Sequence, residues 1–485
     1  MTILRTLCRF FSIISLLFFS GCSQFNPALP EFKQLPQYSL TEAIENNQSV
    51  VIVNDWVQEE WWFMFNDSQL SSLVDQAIIQ HPSMTIAEAR VRAANALRMG
   101  AQSPLYPSIN SLGDYTRLRN SKNGIFGLAP QFPLTYTQPE VSLNFAYEFD
   151  FWKKHKNLID AAIDEVEARK AEMYFSRLVL SLAVASSYFE LQTTVARKEI
   201  ALALLENQQK LIALADQRRS NGIDNEWDVN NVKTGILLTN QYVEQLLLGV
   251  NLSRNELQAL IAGDFNSRDY CSLSLETAAF TAAYVSANAE EPFPLPESLP
   301  VNLLAHRADI WASERRAEAA ARKICVARAN FYPNINLLGF AGLQTITPSN
   351  FFQASSFYGS VGPAFNLPIF EGGALQAAYD ASCQDYVIAV AEYEELLLNA
   401  VKEVLNALTC LDKTKEIYHA ARTAEYIAWK NVQITKDRMK HHLSSKLDLL
   451  ADENVWLQMR DISVQSFLNC LEAKLALIRA LGGGF

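Results

Sequence analysis

Proline is missing from the two longest parts of this 485-residue chain: none lies between Pro139 and Pro292, and none follows Pro368. Residues 153–221 and 374–481 lack glycine as well. Proline deletes a helical hydrogen bond and clashes with the preceding turn, and glycine adds to the entropy lost on ordering. Stretches without either are free to form very long helices. Histidine is scarce, at six residues, and the chain has no G-x-S-x-G, Walker loop or H-E-x-x-H. It offers no enzyme signature and no motif for a cofactor. His441-His442 does not make a metal site, because adjacent helical residues do not share a face. No Lys/Arg-rich run offsets the formal charge of −11, which excludes a nucleic-acid partner.

Long apolar runs are also absent, except at the start. Arg5 and Arg9 precede apolar residues 10–19 and then Phe19-Ser20-Gly21-Cys22. Ten apolar residues are too few to span a bilayer, so residues 1–21 read as a signal peptide. The small residues before Cys22 resemble a bacterial lipobox, which implies lipidation of Cys22. Ser23 is not the aspartate associated with inner-membrane retention, which favours the outer membrane. Besides Cys8 and Cys22 there are five cysteines, an odd number that cannot form a complete disulfide framework. If the chain reverses near His441, Cys410 and Cys470 lie at similar heights on antiparallel helices, and that pair is the candidate disulfide.

What is present comes twice. Glu88, Arg90, Ala94, Ala101, Pro107, Ile109 and Asn110 stand 226 positions before Glu314, Arg316, Ala320, Ala327, Pro333, Ile335 and Asn336. From residue 141 the offset is 220, with Val141, Phe145, Asp160, Arg218 and Asp228 facing Val361, Phe365, Asp380, Arg438 and Asp448. An internal duplication follows. The expected organisation is a signal peptide at 1–21, an N-terminal arm at 22–66, and repeat 1 at 67–263. A linker at 264–298 and repeat 2 at 299–485 complete it. Each repeat holds a β-hairpin, at about 107–150 and 333–369, and a long helical hairpin with its tip near 218–228 or 438–448.

In the first hairpin Val141, Leu143, Phe145, Tyr147 and Phe149 alternate with Ser142, Asn144, Ala146, Glu148 and Asp150. Ten-residue alternation suits a membrane barrel and a strand of a soluble sandwich equally. The outgoing strands alternate poorly. In the long segments Leu178, Leu182, Ala185, Phe189, Ala196 and Ile200 follow coiled-coil spacing. A helix over 153–220 is roughly 100 Å long at 1.5 Å per residue. Gly222 is the natural reversal in repeat 1, whereas His442 stands at that place in repeat 2.

Several motifs resemble the TolC-type outer-membrane factor family, specifically the lipoprotein branch (OprM/NodT-like) of resistance-nodulation-division efflux systems. They are Trp61-Trp62 through Leu70, Leu299-Pro300 through Ile310, Leu367-Pro368-Ile369-Phe370-Glu371-Gly372-Gly373 and the tail Ala480-Leu481-Gly482-Gly483-Gly484-Phe485. The resemblance implies a mainly α protomer with a small β part. Its long antiparallel helices form a periplasmic α-barrel, and its four membrane strands close a twelve-stranded barrel in a homotrimer. It also implies a passive exit duct for small molecules such as drugs, working with a periplasmic adaptor and an inner-membrane transporter and spanning outer-membrane lipid. Gly222, Ile223, His442 and Leu443 then become adaptor-docking tips, and Asp228 and Asp448 line the periplasmic gate. An aspartate just after a turn also caps the next helix. The basic gate residue of some relatives is absent, since Ser444 occupies that region. A type I secretion tunnel for protein export is the competing duct, and a periplasmic coiled-coil scaffold the alternative of a different class.

Overall fold

The computed structural model describes residues 59–124, 133–223, 225–263 and 307–483. Cys22, the signal peptide, most of the arm, the whole linker and residues 299–306 of repeat 2 lie outside them. The element order is α1 (Ser68–Gln80), α2 (Pro82–Gln102), β1 (Ser108–Arg119), β2 (Thr135–Phe149), α3 (Lys154–Ser220) and α4 (Glu226–Leu260). It continues with α5 (Ala308–Ala329), β3 (Asn334–Gln344), β4 (Phe357–Asn366), α6 (Ala374–Lys440) and α7 (Lys446–Ala480). Among the described residues the fold is mainly α with one small sheet, and the duplication holds at the element ends. α2 and α5 begin 226 residues apart, as do β1 and β3. α3 and α6 (67 residues each) and α4 and α7 (35 residues each) are displaced by 220 at both ends.

The chain forms two compact units, one built mainly from Arg92–Ala168 and Ser313–Glu394. This unit holds a single antiparallel sheet in the order β1-β2-β3-β4. Its register pairs Gly113 with Val141, Val141 with Leu343, and Gly339 with Val361. Those positions, with Leu143, Phe145 and Phe365, share one face; Asp114, Glu140, Ser142, Asn336 and Gln344 share the other. Leu143 is 56% exposed, whereas Ser142 is 3% exposed. A soluble sandwich buries its apolar face, and this sheet turns that face outward. Only lipid makes such an arrangement favourable, so the alternation is that of a membrane barrel. β1 and β3 alternate poorly in sequence because Gly113, Gly339 and Ala341 occupy apolar-face positions. On the polar face the Tyr358 hydroxyl and Gln344 Nε2 both donate to the Glu140 carboxylate, the latter at 3.0 Å.

The face assignment has a direct test. Val361→Lys puts a charge into lipid and is expected to cost about 2–4 kcal/mol near the bilayer midplane, whereas Ser360→Lys on the polar face is tolerated. Outer-membrane yields of the two variants check this, and equal yields would refute the orientation.

Helix packing in this unit joins Ala317, Ala320 and Ile324 of α5 to Tyr379, Cys383 and Tyr386 of α6. The other unit contains described residues of Leu35–Val91, Arg169–Ala312 and Glu395–Phe485. Here the Trp61-Trp62 motif is a buried plug: both indoles are inside, and Trp61 Nε1 donates to Ser181 Oγ at 3.2 Å. Asp67 is the N-cap of α1, accepting from Gln69 N and Leu70 N at 2.9 Å each. Its other oxygen accepts from the Tyr188 hydroxyl of α3 at 2.9 Å. Leu178, Leu182, Ala185, Phe189, Ala196 and Ile200 of α3 are all buried.

The candidate disulfide is not formed, since Cys410 and Cys470 are both free thiols. Helices α6 and α7 are aligned by the pairs Thr435–Asp452 and Tyr418–Phe467. That alignment places Cys470 level with residue 417, about two turns from Cys410. Cys410 is exposed and Cys470 buried, and burial pushes the Cys470 thiol up.

Candidate functional site: the two helix reversals

Both reversals are built the same way. At the end of α3, Gly222 N–H donates to Arg219 O at 2.9 Å and Ile223 N–H to Arg218 O at 2.9 Å. At the end of α6, His442 N–H donates to Met439 O at 3.1 Å and Leu443 N–H to Arg438 O at 2.9 Å. These are paired Schellman stops, and each needs one residue in the left-handed region. Gly222 supplies it at φ 72°, and His442 adopts it at φ 59°. The conformation costs a non-glycine residue roughly 1–2 kcal/mol. Ile223 and Leu443 follow the stops and are exposed, as is Trp227.

The returning helices also start alike. Asn225 caps α4: its side-chain oxygen accepts from Asp228 N at 3.1 Å, and Asp228 Oδ2 accepts from Asn225 N at 3.2 Å. Ser445 caps α7 through the same exchange with Asp448, at 3.2 and 2.8 Å. Both aspartates are therefore members of reciprocal capping boxes. The Ser445 backbone and hydroxyl bonds hold the Asp448 carboxyl below the usual range, with Arg438 adding a smaller pull. The spacing Asn-x-x-Asp and Ser-x-x-Asp carried this signal in the sequence.

Further along these helices lies a polar cluster that the sequence reading did not find. Arg197 of α3 donates from Nε to Asp461 Oδ1 of α7 at 2.9 Å and from Nη2 to the Tyr242 oxygen of α4 at 2.5 Å. Tyr242 donates to Asp461 Oδ2 at 2.7 Å, and Arg197 also reaches Gln465. Burial, reinforced by the Asp461 bond, pushes the Tyr242 phenol up to about 12. A second tie joins the same two helices: Asn207 Nδ2 donates to Leu450 O at 2.9 Å and Asn454 Oδ1 at 2.8 Å. Between α6 and α7, Lys436 pairs with Glu453 at 3.2 Å. The positions 220 residues from Arg197, Tyr242 and Asp461 are Ile417, Ile462 and Gln241, so the cluster exists once per chain.

A sheet with a lipid-type outer face and a polar opposite face, in one chain with duplicated helical hairpins and matched reversals, defines the protomer of an outer-membrane channel. The sequence profile described as "Outer membrane efflux protein" matches residues 73–263 and 299–483. The chain belongs to that family. It is 27% identical to the multidrug resistance outer membrane protein MdtQ of Escherichia coli O6:H1 over 482 residues, covering 97% of this chain and 96% of MdtQ. It is 24% identical to the probable efflux pump outer membrane protein TtgC of Pseudomonas putida, covering 95% and 90%. Among solved structures it is similar to the outer membrane protein VceC of Vibrio cholerae, with a TM-score of 0.76 and 29% identity over 89% of this chain and 100% of VceC. The Campylobacter jejuni CmeC outer membrane channel shares the fold at a TM-score of 0.80 and 20% identity, covering 95% and 94%. The protein is an outer-membrane exit duct of an efflux system.

Proposed function

We propose that three copies of this chain form a duct that passively conducts small molecules from the periplasm to the exterior. The observation that carries this reading is the open four-stranded sheet, whose apolar face points outward and whose edge strands β1 and β4 have no further neighbour among the described residues. Unpaired edges are not tolerated in lipid, and four strands are too few to close a barrel, so closure needs other copies. Three copies give twelve strands. The helices agree: α7 is tied to α3 and to α6, while α4 and α6 expose Leu237, Leu238, Tyr426 and Ile427.

The exposed tips at Ile223 and Leu443, each locked by its Schellman stop, present apolar side chains to a periplasmic adaptor, and an inner-membrane transporter supplies the energy. Lipidation of Cys22 adds an anchor in the same membrane. The multidrug and efflux-pump names of the relatives favour small molecules over exported protein as cargo.

Asp228 and Asp448 have a double role in this reading: each caps a returning helix, and together they ring the periplasmic constriction with carboxylates that favour cations. Replacing both by asparagine keeps an acceptor for the capping box and removes only the charge, whereas alanine also removes the reciprocal half of each capping box, the bond from the Asn225 or Ser445 backbone N–H. In planar bilayers, Asp228→Asn with Asp448→Asn is expected to lower cation selectivity, and the double alanine variant to raise the closed conductance as well. Unchanged selectivity and unchanged closed conductance in both would end the gate assignment.

A further inference from the structure

At one end the sheet sorts its charges by face. α2 and α5 lead into β1 and β3 at Ser108 and Asn334, and β2 and β4 lead out toward α3 and α6, so the neighbouring helices all join the sheet at one end. Arg119 and Thr135 mark the opposite end. Just before it, Asp114 and Glu140 pair in the register on the polar face. There Thr116 donates to Asp114, and Tyr358 and Gln344 donate to Glu140. Arg117 and Arg119 follow Gly113 and Tyr115 at steps of two and therefore stand on the apolar face. Both are exposed, and neither pairs with a carboxylate among the described residues.

The surrounding sequence is one-sided. Residues 115–139 contain Arg117, Arg119 and Lys122 and no aspartate or glutamate, in a chain whose formal charge is −11. The duplication supplies a comparison at the same strand position. There, 226 residues on, Arg117 and Arg119 become Leu343 and Thr345, and residues 329–370 carry no charge at all. A strand at this place therefore needs no cation, and the two arginines belong to repeat 1 alone. On an outward face the cost of a guanidinium falls from the bilayer midplane to the interface. The pair thus fits the headgroup level, beyond the Tyr115 ring, which is 72% exposed. Thr137 and Thr135 stand opposite the arginines in β2 and add hydroxyl groups to the same patch.

We infer, on the duct orientation proposed above, that Arg117 and Arg119 bind the phosphate groups of lipopolysaccharide in the outer leaflet. That orientation puts the helices in the periplasm and the Arg119 end of the sheet at the exterior. The outer leaflet there presents a phosphorylated glycolipid, and a guanidinium meets two phosphate oxygens with a planar fork. Outward residues two apart on a strand are separated by about 7 Å, which lets both forks reach one headgroup. Lys122, exposed in the turn after β1, adds a third positive charge. Asp114 and Glu140 do not oppose the anion directly, since the sheet keeps them on the polar face. The contact holds the exterior rim of the duct in the glycolipid layer.

Native mass spectrometry of the detergent-purified full chain with diphosphorylated lipid A tests this. Arg117→Leu with Arg119→Thr installs the residues that repeat 2 has at these places, Leu343 and Thr345. Expected is lipid A retention about ten-fold weaker than wild type, and a similar loss when wild type is given dephosphorylated lipid A. Equal retention by wild type and variant would overturn the inference, as would wild-type binding that ignores the lipid phosphates. Inorganic phosphate has no acyl chains to seat on the face and should not displace the lipid; displacement would mean a site for the free anion instead. Should the double variant fail to assemble, Arg119→Gln alone is measured in the same way, with a smaller loss expected and equal retention again decisive against the site. Lys122→Cys in intact cells reports the orientation separately: a maleimide too large to cross the outer membrane should label it and leave wild type unlabelled. No labelling would remove the duct orientation, whereas labelling without a phosphate preference would remove only the lipid site.

Discussion

Arg307→Ala is expected to destabilise the folded chain by about 3–5 kcal/mol, the usual cost of breaking a buried ion pair from one side. The Arg307 side chain is 4% exposed and pairs with Asp309 at 2.8 Å and Glu403 at 2.9 Å. A further bond at 3.2 Å reaches Ala480 O. One guanidinium therefore joins the start of α5 to α6 and to the last residue of α7. Burial alone pulls its pKa down, but Asp309 and Glu403 outweigh that and leave it raised. Removing it strands the Asp309 carboxylate next to apolar helices. Arg307→Lys should recover little, because an ammonium cannot reproduce the fork that meets Asp309 with two nitrogens. The C-terminal glycines belong to the same site: Gly482 has φ 86°, and a Cβ there would sit 3.0 Å from Arg307 Cγ. Denaturant unfolding of purified wild type and variant checks the prediction. A loss below about 1 kcal/mol, the range of an exposed pair, would refute the buried-clamp account.

Two motifs that were only family resemblances in the sequence, Leu299 to Ile310 and the glycine tail, thus meet at one arginine. Nothing in either stretch alone announces the other, because the contact spans 173 residues. The repeat was legible for the opposite reason: a constant offset preserves residue identity at matched places, and the helix ends obey it to the residue. The existence of α3, α6 and α7 followed from the missing prolines and glycines. The direction of the sheet did not follow, since alternation has the same period whether its apolar face meets lipid or a core. Only the exposure of Leu143 beside the burial of Ser142 separates the two. At the tips, the glycine-to-histidine exchange at 442 suggested a departure, yet the backbone turn is the same, because hydrogen bonds from residues 442 and 443 hold it. The disulfide expectation failed on register, since the reversal centre lies a few residues beyond His441. The Arg197 cluster left no periodic trace, being single polar residues on three helices.

That cluster carries the second large effect. Asp461→Ala is expected to cost about 3 kcal/mol, because Arg197 and Asp461 are only 20% and 19% exposed and the guanidinium would lose its main partner. Arg197→Met combined with Asp461→Leu should cost less than Asp461→Ala alone, since no charge is then left unpaired. The tie joins the long helix of repeat 1 to the returning helix of repeat 2, so its loss should also raise the resting conductance of the channel. Tyr242 adds a pH signature. Its phenol titrates near 10.0 when free and at about 12 in the fold. Between those values the unfolded chain has lost a proton that the folded chain keeps, so this contribution is complete below pH 10 and falls as pH rises through the window. Other buried tyrosines slope the same way, and the informative quantity is the difference between wild type and Tyr242→Phe. The variant should show a shallower loss of stability from pH 10 to 12; parallel curves would mean that the phenol–Asp461 bond does not hold the seam. The Tyr242 hydroxyl donates to one Asp461 oxygen while Arg197 Nε donates to the other, which is how one carboxylate ties three helices.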